Sequence, residues 1–203
     1  MTSPSERIPL ARARELAEDL RDRLSMACDR IVIAGSIRRG RETVKDIELL
    51  AIPLQRREVT RDLFGKEEEV FHCRLWRLLD LAVAKPGSAL KKHPPINGRA
   101  APWNGKKQRK LLWHDVPVDL FTATPSTWGS QLLIRTGPSD FSTRYVSLLK
   151  REGFRHAGGL ILDGDGRQVE VYTEREAFAV IGWHWRQPSE RLSDAAREVA
   201  CAV

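Results

Sequence analysis

A short run of β-branched residues, Ile31-Val32-Ile33-Ala34, stops at Gly35-Ser36, and a second apolar stretch, Ile47 to Ile52, starts directly after Asp46. Runs of this length and type read as strands. The chain must therefore join two strands through a compact polar turn carrying Arg38 and Arg39, which restricts it to sheet-containing folds. A glycine after a strand lets backbone N–H groups approach an anion closely, and a helix opening at Ser36 adds its positively polarised N-terminus. Both arginines are permanently charged, but neighbours on a helical turn point in different directions. One of them, Arg39 in this reading, faces the anion. Triphosphate fits that geometry.

Residues two apart on a strand share a face, so Asp46 and Glu48 stand side by side in an otherwise apolar segment. Two adjacent carboxylates repel unless cations neutralise them, and hard oxygen donors of this kind suit Mg²⁺ or Mn²⁺. Asp-x-Glu by itself is also the pattern of a solvated strand edge; its weight comes from the strand and turn before it. Val116 to Phe121 is another alternating strand, with Val118 and Leu120 on one face and Asp119 on the other. In two-metal phosphoryl transfer, one cation activates the attacking hydroxyl and one holds the triphosphate; Asp119 is the candidate for the third carboxylate that separates these tasks, although taken alone it reads equally as an exposed strand residue.

The 203 residues suffice for one domain or two small ones, and 41% hydrophobic content is enough for a core. A formal net charge of +7 draws in polyanions, nucleic acid above all. With no apolar run of membrane-spanning length and a merely polar N-terminus, a soluble, cytoplasmic protein with no membrane partner is expected. Cys28, Cys73 and Cys201 lack metal-ligand spacing and the five histidines are scattered, so the thiols are expected to be reduced and zinc absent.

Ala13, Leu16, Ala17, Leu20, Leu24 and Ala27 recur at helical spacing, which predicts an amphipathic helix from about Leu10 to Cys28 against the sheet. A second helix is predicted from about Lys66 to Leu81, with Val70, Cys73, Trp76, Leu78 and Leu79 inward and Pro86-Gly87 beyond it. No acid occurs between Asp80 and Asp115, while Lys85, Lys91, Lys92, Arg99, Lys106, Lys107, Arg109 and Lys110 accumulate there around two Asn-Gly pairs. This reads as a basic hairpin loop, either merely solvated and disordered or, as its place before the Asp119 strand favours, tracking a nucleic-acid backbone, with Trp103 available to stack on a base or to pack. Helices are predicted from Ser126 to Arg135 and from Ser139, as cap, to Glu152; strands at Leu160 to Leu162 and Gln168 to Tyr172 flank an Asp-Gly turn. A short helix near Glu174 to Ile181 precedes a Trp-rich tail.

The Gly-Ser-x-Arg-Arg-Gly turn at Gly35 to Gly40, the Asp46-x-Glu48 pair, Val118-Asp119, and Thr136-Gly137 together resemble the palm and thumb of family X DNA polymerases, the DNA polymerase beta-like group. The likeness runs from Arg7-Ile8-Pro9 to Trp183-His184-Trp185-Arg186-Gln187-Pro188, nearly the whole chain, and is nearest to short phage-like or bacterial members. It implies an α+β fold: a nucleotidyltransferase palm with a mixed β-sheet backed by helices over residues 1–125, and a small α/β thumb over 126–203.

The resemblance further implies that Asp46, Glu48 and Asp119 hold two divalent ions and that Ser36 and Arg39, with Gly35, bind the triphosphate. Thr136-Gly137 cradles the incoming sugar, and Arg7 is a further phosphate contact. The implied activity is addition of nucleotides from nucleoside triphosphates to a primer 3′-hydroxyl on primer-template or gapped DNA, by a monomer, in DNA repair or gap filling. The lyase and helix-hairpin-helix regions of longer relatives are missing, so lyase activity is not expected. Ile134 and Arg135 replace an aromatic pair before Thr-Gly, Pro117 a basic residue, Ser142 an amide-bearing residue and Val146 an arginine, which leaves sugar selection and fidelity open. A template-independent terminal transferase, another nucleotidyltransferase, and a catalytically lapsed nucleic-acid-binding protein are the alternatives.

Overall fold

The computed structural model describes residues 7–61, 67–95, 105 and 107–191. In chain order, β1 (Ile8–Pro9) leads into α1 (Leu10–Ser25), β2 (Cys28–Ile33), the single turn α2 (Gly35–Arg38), β3 (Thr43–Val44) and β4 (Ile47–Pro53). A hairpin of β5 (Gln55–Arg61) and β6 (Glu67–Cys73) precedes α3 (Arg74–Ala84). The strands β7 (Leu90–Lys92), β8 (Gln108–Trp113) and β9 (Val116–Thr122) come next. The remainder comprises α4 (Trp128–Thr136), α5 (Ser139–Arg151), β10 (Arg155–Ala157), β11 (Leu160–Leu162), β12 (Gln168–Val169) and α6 (Glu174–Ala179). The architecture is α+β, with a five-stranded mixed sheet in the order β2-β4-β9-β8-β7 and a separate three-stranded antiparallel sheet, β10-β11-β12. Only the central pair of the large sheet, β4 and β9, is parallel.

Strand alternation sorts the side chains of the large sheet. Ile47, Leu49 and Ala51 of β4, Leu111 of β8, and Val118 and Leu120 of β9 face the apolar stripe of α1 and the buried Leu75 and Leu79 of α3. Full burial of each such leucine or isoleucine stabilises by about 1.5–3 kcal/mol, and this layer is the largest apolar cluster. On the opposite face Leu50 and Phe121 pack against Trp128 and Leu132 of α4. Gly129 lets α4 approach the chain just ahead of α6, since a Cβ there would stand 2.0 Å from the Thr173 carbonyl oxygen. A third cluster, with Leu133, Phe141, Tyr145, Leu149, Ile161, Val171 and Phe178, joins α4, α5 and α6 to the small sheet.

The helix expected at Lys66 to Leu81 is corrected: Lys66 lies outside the described residues, Glu67–Cys73 is a strand, and the helix begins at Arg74. The apolar spacing from Val70 to Leu79 suggests helix, but Glu69 pairs with Arg57 and His72 with Glu58 across the hairpin. Such cross-strand pairs favour the strand and depend on residues distant in sequence. Trp76, expected inward, is half-buried beneath Arg109, 4.6 Å from its ring centroid. The helix expected from Ser126 begins at Trp128 after a 3₁₀ turn at Pro125–Thr127. Ser139 opens α5, but Pro138 stands at its cap. The strand expected to reach Tyr172 stops at Val169, and the helix expected to reach Ile181 stops at Ala179. Among the described residues no helix is long and apolar enough to cross a membrane.

Candidate active site

The parallel register of β4 and β9 sets Glu48 beside Asp119. Both point to the α4 side, on the face that carries Leu50 and Phe121, and Asp46 sits just before β4 begins. The three carboxylates feel one another. Burial, then the charges of Asp46 and Asp119, pushes the Glu48 carboxyl up to about 7. Burial and Asp119 likewise raise Asp46, against the opposing pull of Lys110, Lys45 and Arg39. Two half-buried carboxyls that resist ionisation beside a third acid are groups that added positive charge would relieve.

Gly35 makes room for this group. It has φ +61°, and a Cβ there would stand 1.8 Å from Glu48 Oε2. Ala34 N–H donates to the Glu48 carbonyl at 2.8 Å, fastening the turn to β4, and Ile37 is buried in the main cluster. The helix expected to open at Ser36 is a single turn of four residues starting at Gly35, so a long helix dipole is not available. Its leading N–H groups, at Gly35, Ser36 and Ile37, are those that a helical turn leaves without intrahelical partners.

Arg38 and Arg39 diverge as their adjacency predicts. Arg38 turns to Glu174, with bonds of 2.8 and 3.0 Å, and to Thr136 Oγ1 at 2.6 Å. Arg39 donates to the Thr136 carbonyl at 2.5 Å and lies within the field of Glu48. Thr136 is wholly buried at the C-terminus of α4, where its orphan carbonyl and the negative end of the helix favour a guanidinium. Gly137 lies against Phe141 and Ser142, closely enough that a Cβ would meet the Phe141 ring at 2.5 Å.

Two cations not assigned to this site from the sequence stand in it. Lys110 Nζ donates to both Asp119 oxygens, at 2.5 and 2.7 Å. Arg135 lies over the Phe121 ring at 3.7 Å and faces Glu48 and Asp119; burial draws its pKa down while those carboxylates hold it up. The Nε atoms of Arg39 and Arg135 are buried without a hydrogen-bond partner among the described residues. Among the described residues no group of three His, Cys, Asp or Glu side chains is arranged to hold a metal ion. The neighbouring acids Asp46, Glu48 and Asp119 offer only hard oxygen donors.

The basic loop divides. Lys110 belongs to the carboxylate site, and Arg109, one residue away, points to the opposite face of the sheet, 6% exposed and bonded to Asp80 at 2.7 Å and to the Trp76 carbonyl. The expectation that Arg109 and Lys110 lie together on a nucleic-acid surface is therefore corrected: both sit in β8, and strand alternation separates them. Lys85, Lys91 and Lys92 are exposed, with Lys91 paired to Asp115 at 2.9 Å. Lys107 donates to the Gly158 carbonyl at 2.9 Å. Arg99, Trp103 and Lys106 lie outside the described residues. Arg7 is bonded to Thr43 through Nε and Nη2, both at 2.9 Å, in the β1–β3 ribbon that leads to Asp46. Compared with protein-family models and with curated proteins, the chain matches none.

Proposed function

We propose that the chain is a metal-dependent nucleotidyltransferase with a polymerase beta-like palm and thumb, and that it extends a primer 3′-hydroxyl from nucleoside triphosphates. The observation that carries this reading is the juxtaposition of Asp46, Glu48 and Asp119 across neighbouring strands, beside a glycine turn that brings Arg39 to the same carboxylates. Carboxylates in mutual repulsion next to guanidiniums with unpartnered Nε atoms suit a ligand that carries both cations and phosphates. In this reading Asp46, Glu48 and Asp119 hold two Mg²⁺ or Mn²⁺ ions, which supply charge neutralisation and lower the pKa of the attacking hydroxyl. The Gly35-Ser36 backbone and Arg39 orient the triphosphate. Its α-phosphate is attacked in line, the bond to the β-phosphate breaks, and pyrophosphate leaves.

Catalysis is then mostly positioning and electrostatics. The exposed Lys91 and Lys92 and the net charge of +7 support a DNA partner. Primer extension with each nucleotide separately, with and without a matched template base, tests the activity and its template dependence. Asp119→Ala is expected to abolish extension while leaving nucleotide binding largely intact. Extension by that variant at the wild-type rate would remove Asp119 from the reaction, and magnesium- and manganese-independent DNA binding without product would replace the enzyme by a binding protein.

A further inference from the structure

At the end of the large sheet remote from the carboxylates, the α1–β2 junction, α3 and the β5–β6 hairpin enclose a hollow of about 270 Å³. Its floor is aliphatic: Met26 and Leu81 are 69% and 64% exposed, and Leu78 is half-buried beside them. Large apolar side chains at this exposure, grouped rather than scattered, mark a contact surface. Arg56, Arg74 and Arg77 stand around it, all exposed, and none has an ion pair or side-chain hydrogen bond among the described residues. Elsewhere many arginines are engaged, Arg38 with Glu174, Arg57 with Glu69 and Arg109 with Asp80 among them.

We propose that this hollow is a docking site for an acidic, apolar peptide segment of a partner protein, with aliphatic side chains on the Met26-Leu78-Leu81 floor and carboxylates on Arg56, Arg74 and Arg77. Three guanidiniums without partners among the described residues, set around an apolar floor, suit anions at the rim and hydrocarbon at the centre, the usual division of a protein interface. Nucleic acid supplies mainly the first: among the described lining residues the one ring that could face a base is the His72 imidazole, and it is engaged with Glu58. Six residues of β2 separate the hollow from Gly35, roughly 20 Å at strand rise, so a primer end at the carboxylates does not reach it. The site is thus separate from the proposed chemistry and does not depend on it.

Fluorescence anisotropy of the whole protein with a short labelled peptide of leucines and glutamates tests the proposal. Controls carry lysine in place of glutamate, or serine in place of leucine, and duplex DNA serves as competitor. Saturable binding of the Leu/Glu peptide alone is expected. It should weaken at least about tenfold in Arg56→Glu/Arg74→Glu/Arg77→Glu, and comparably in Met26→Ser/Leu81→Ser. The triple Arg→Lys variant, which keeps the charges, should retain most of the binding and guards against a folding artefact. The proposal is overturned by absence of binding, by equal binding of the lysine peptide, or by insensitivity to charge reversal. Displacement of the peptide by duplex DNA, lost with the same three reversals, would reassign the surface to nucleic acid.

Discussion

Lys110 and Asp119 oppose each other across the antiparallel strands β8 and β9, and the ammonium lies 2.5 and 2.7 Å from the two carboxylate oxygens. A dication bound by Asp119 must displace that ammonium or share its oxygens. Lys110→Met is therefore expected to raise the affinity for Mn²⁺ several-fold and to lower the stability of the metal-free protein, which loses a counter-charge. Calorimetric titration and thermal unfolding measure the two effects. Unchanged Mn²⁺ affinity would mean that lysine and ion do not compete.

Glu48 links the site to pH. Its carboxyl is raised from the ordinary 4.5 to about 7, so the folded chain holds a proton there that the unfolded chain has released. Stability from this group is full below about pH 4.5 and is lost as pH rises through about 7. The metal-free protein should lose on the order of a few kcal/mol across that window. Added Mn²⁺ should restore most of it at the alkaline end, and Glu48→Gln should flatten the profile. Urea unfolding at a series of pH values reads this directly.

Glu174 has the opposite sign. Burial alone would raise its carboxyl, but hydrogen bonds from Arg191 and Arg38 bring it down to about 2. Its contribution is present above about pH 4.5 and disappears as pH falls through about 2. Glu174→Gln leaves Arg191, which is fully buried, without its charged partner. Losing one partner of a buried pair costs about 3–5 kcal/mol, so a Tm lower by roughly 10 °C is expected at neutral pH. A shift under 2 °C, the scale of roughly 1 kcal/mol, would show the network to be structurally minor.

Gly35→Ala places a methyl group on Glu48 at a backbone angle that favours glycine. The left-handed conformation alone costs about 1–2 kcal/mol, and the carboxylate must also move. Stability and Mn²⁺ affinity should fall together, as urea unfolding and metal titration on one sample would establish. A loss of stability with metal affinity intact would separate the turn from the carboxylates.

The strands at Ile31 and Val116, the helix of Leu10 and the turn at Gly35 were legible because each carries its own period or punctuation. The β5–β6 hairpin was not, since the apolar spacing from Val70 to Leu79 resembles helix until Arg57 and Glu58 are brought opposite. Alternation puts Asp46 and Glu48 on one face, but that Asp119 joins them depends on the parallel pairing of β4 with β9, which no local pattern encodes. Lys110 was misplaced although Gln108 to Trp113 also alternates: reading it as strand rather than loop would have put Lys110 and Arg109 on opposite faces. Arg135 left only a weak trace, as a charge where the resemblance expected an aromatic ring. Its approach to Glu48 depends on how α4 crosses the sheet, which local sequence does not encode.

Because Glu48 and Asp119 meet through parallel pairing of strands far apart in the chain, their encounter is all or none. Lengthening β9 by one residue ahead of Asp119 would swing that acid toward α1 and bring an aliphatic neighbour round in its place. A slip of one position between these two strands would turn Asp119 away from Glu48 and take the carboxylate set apart.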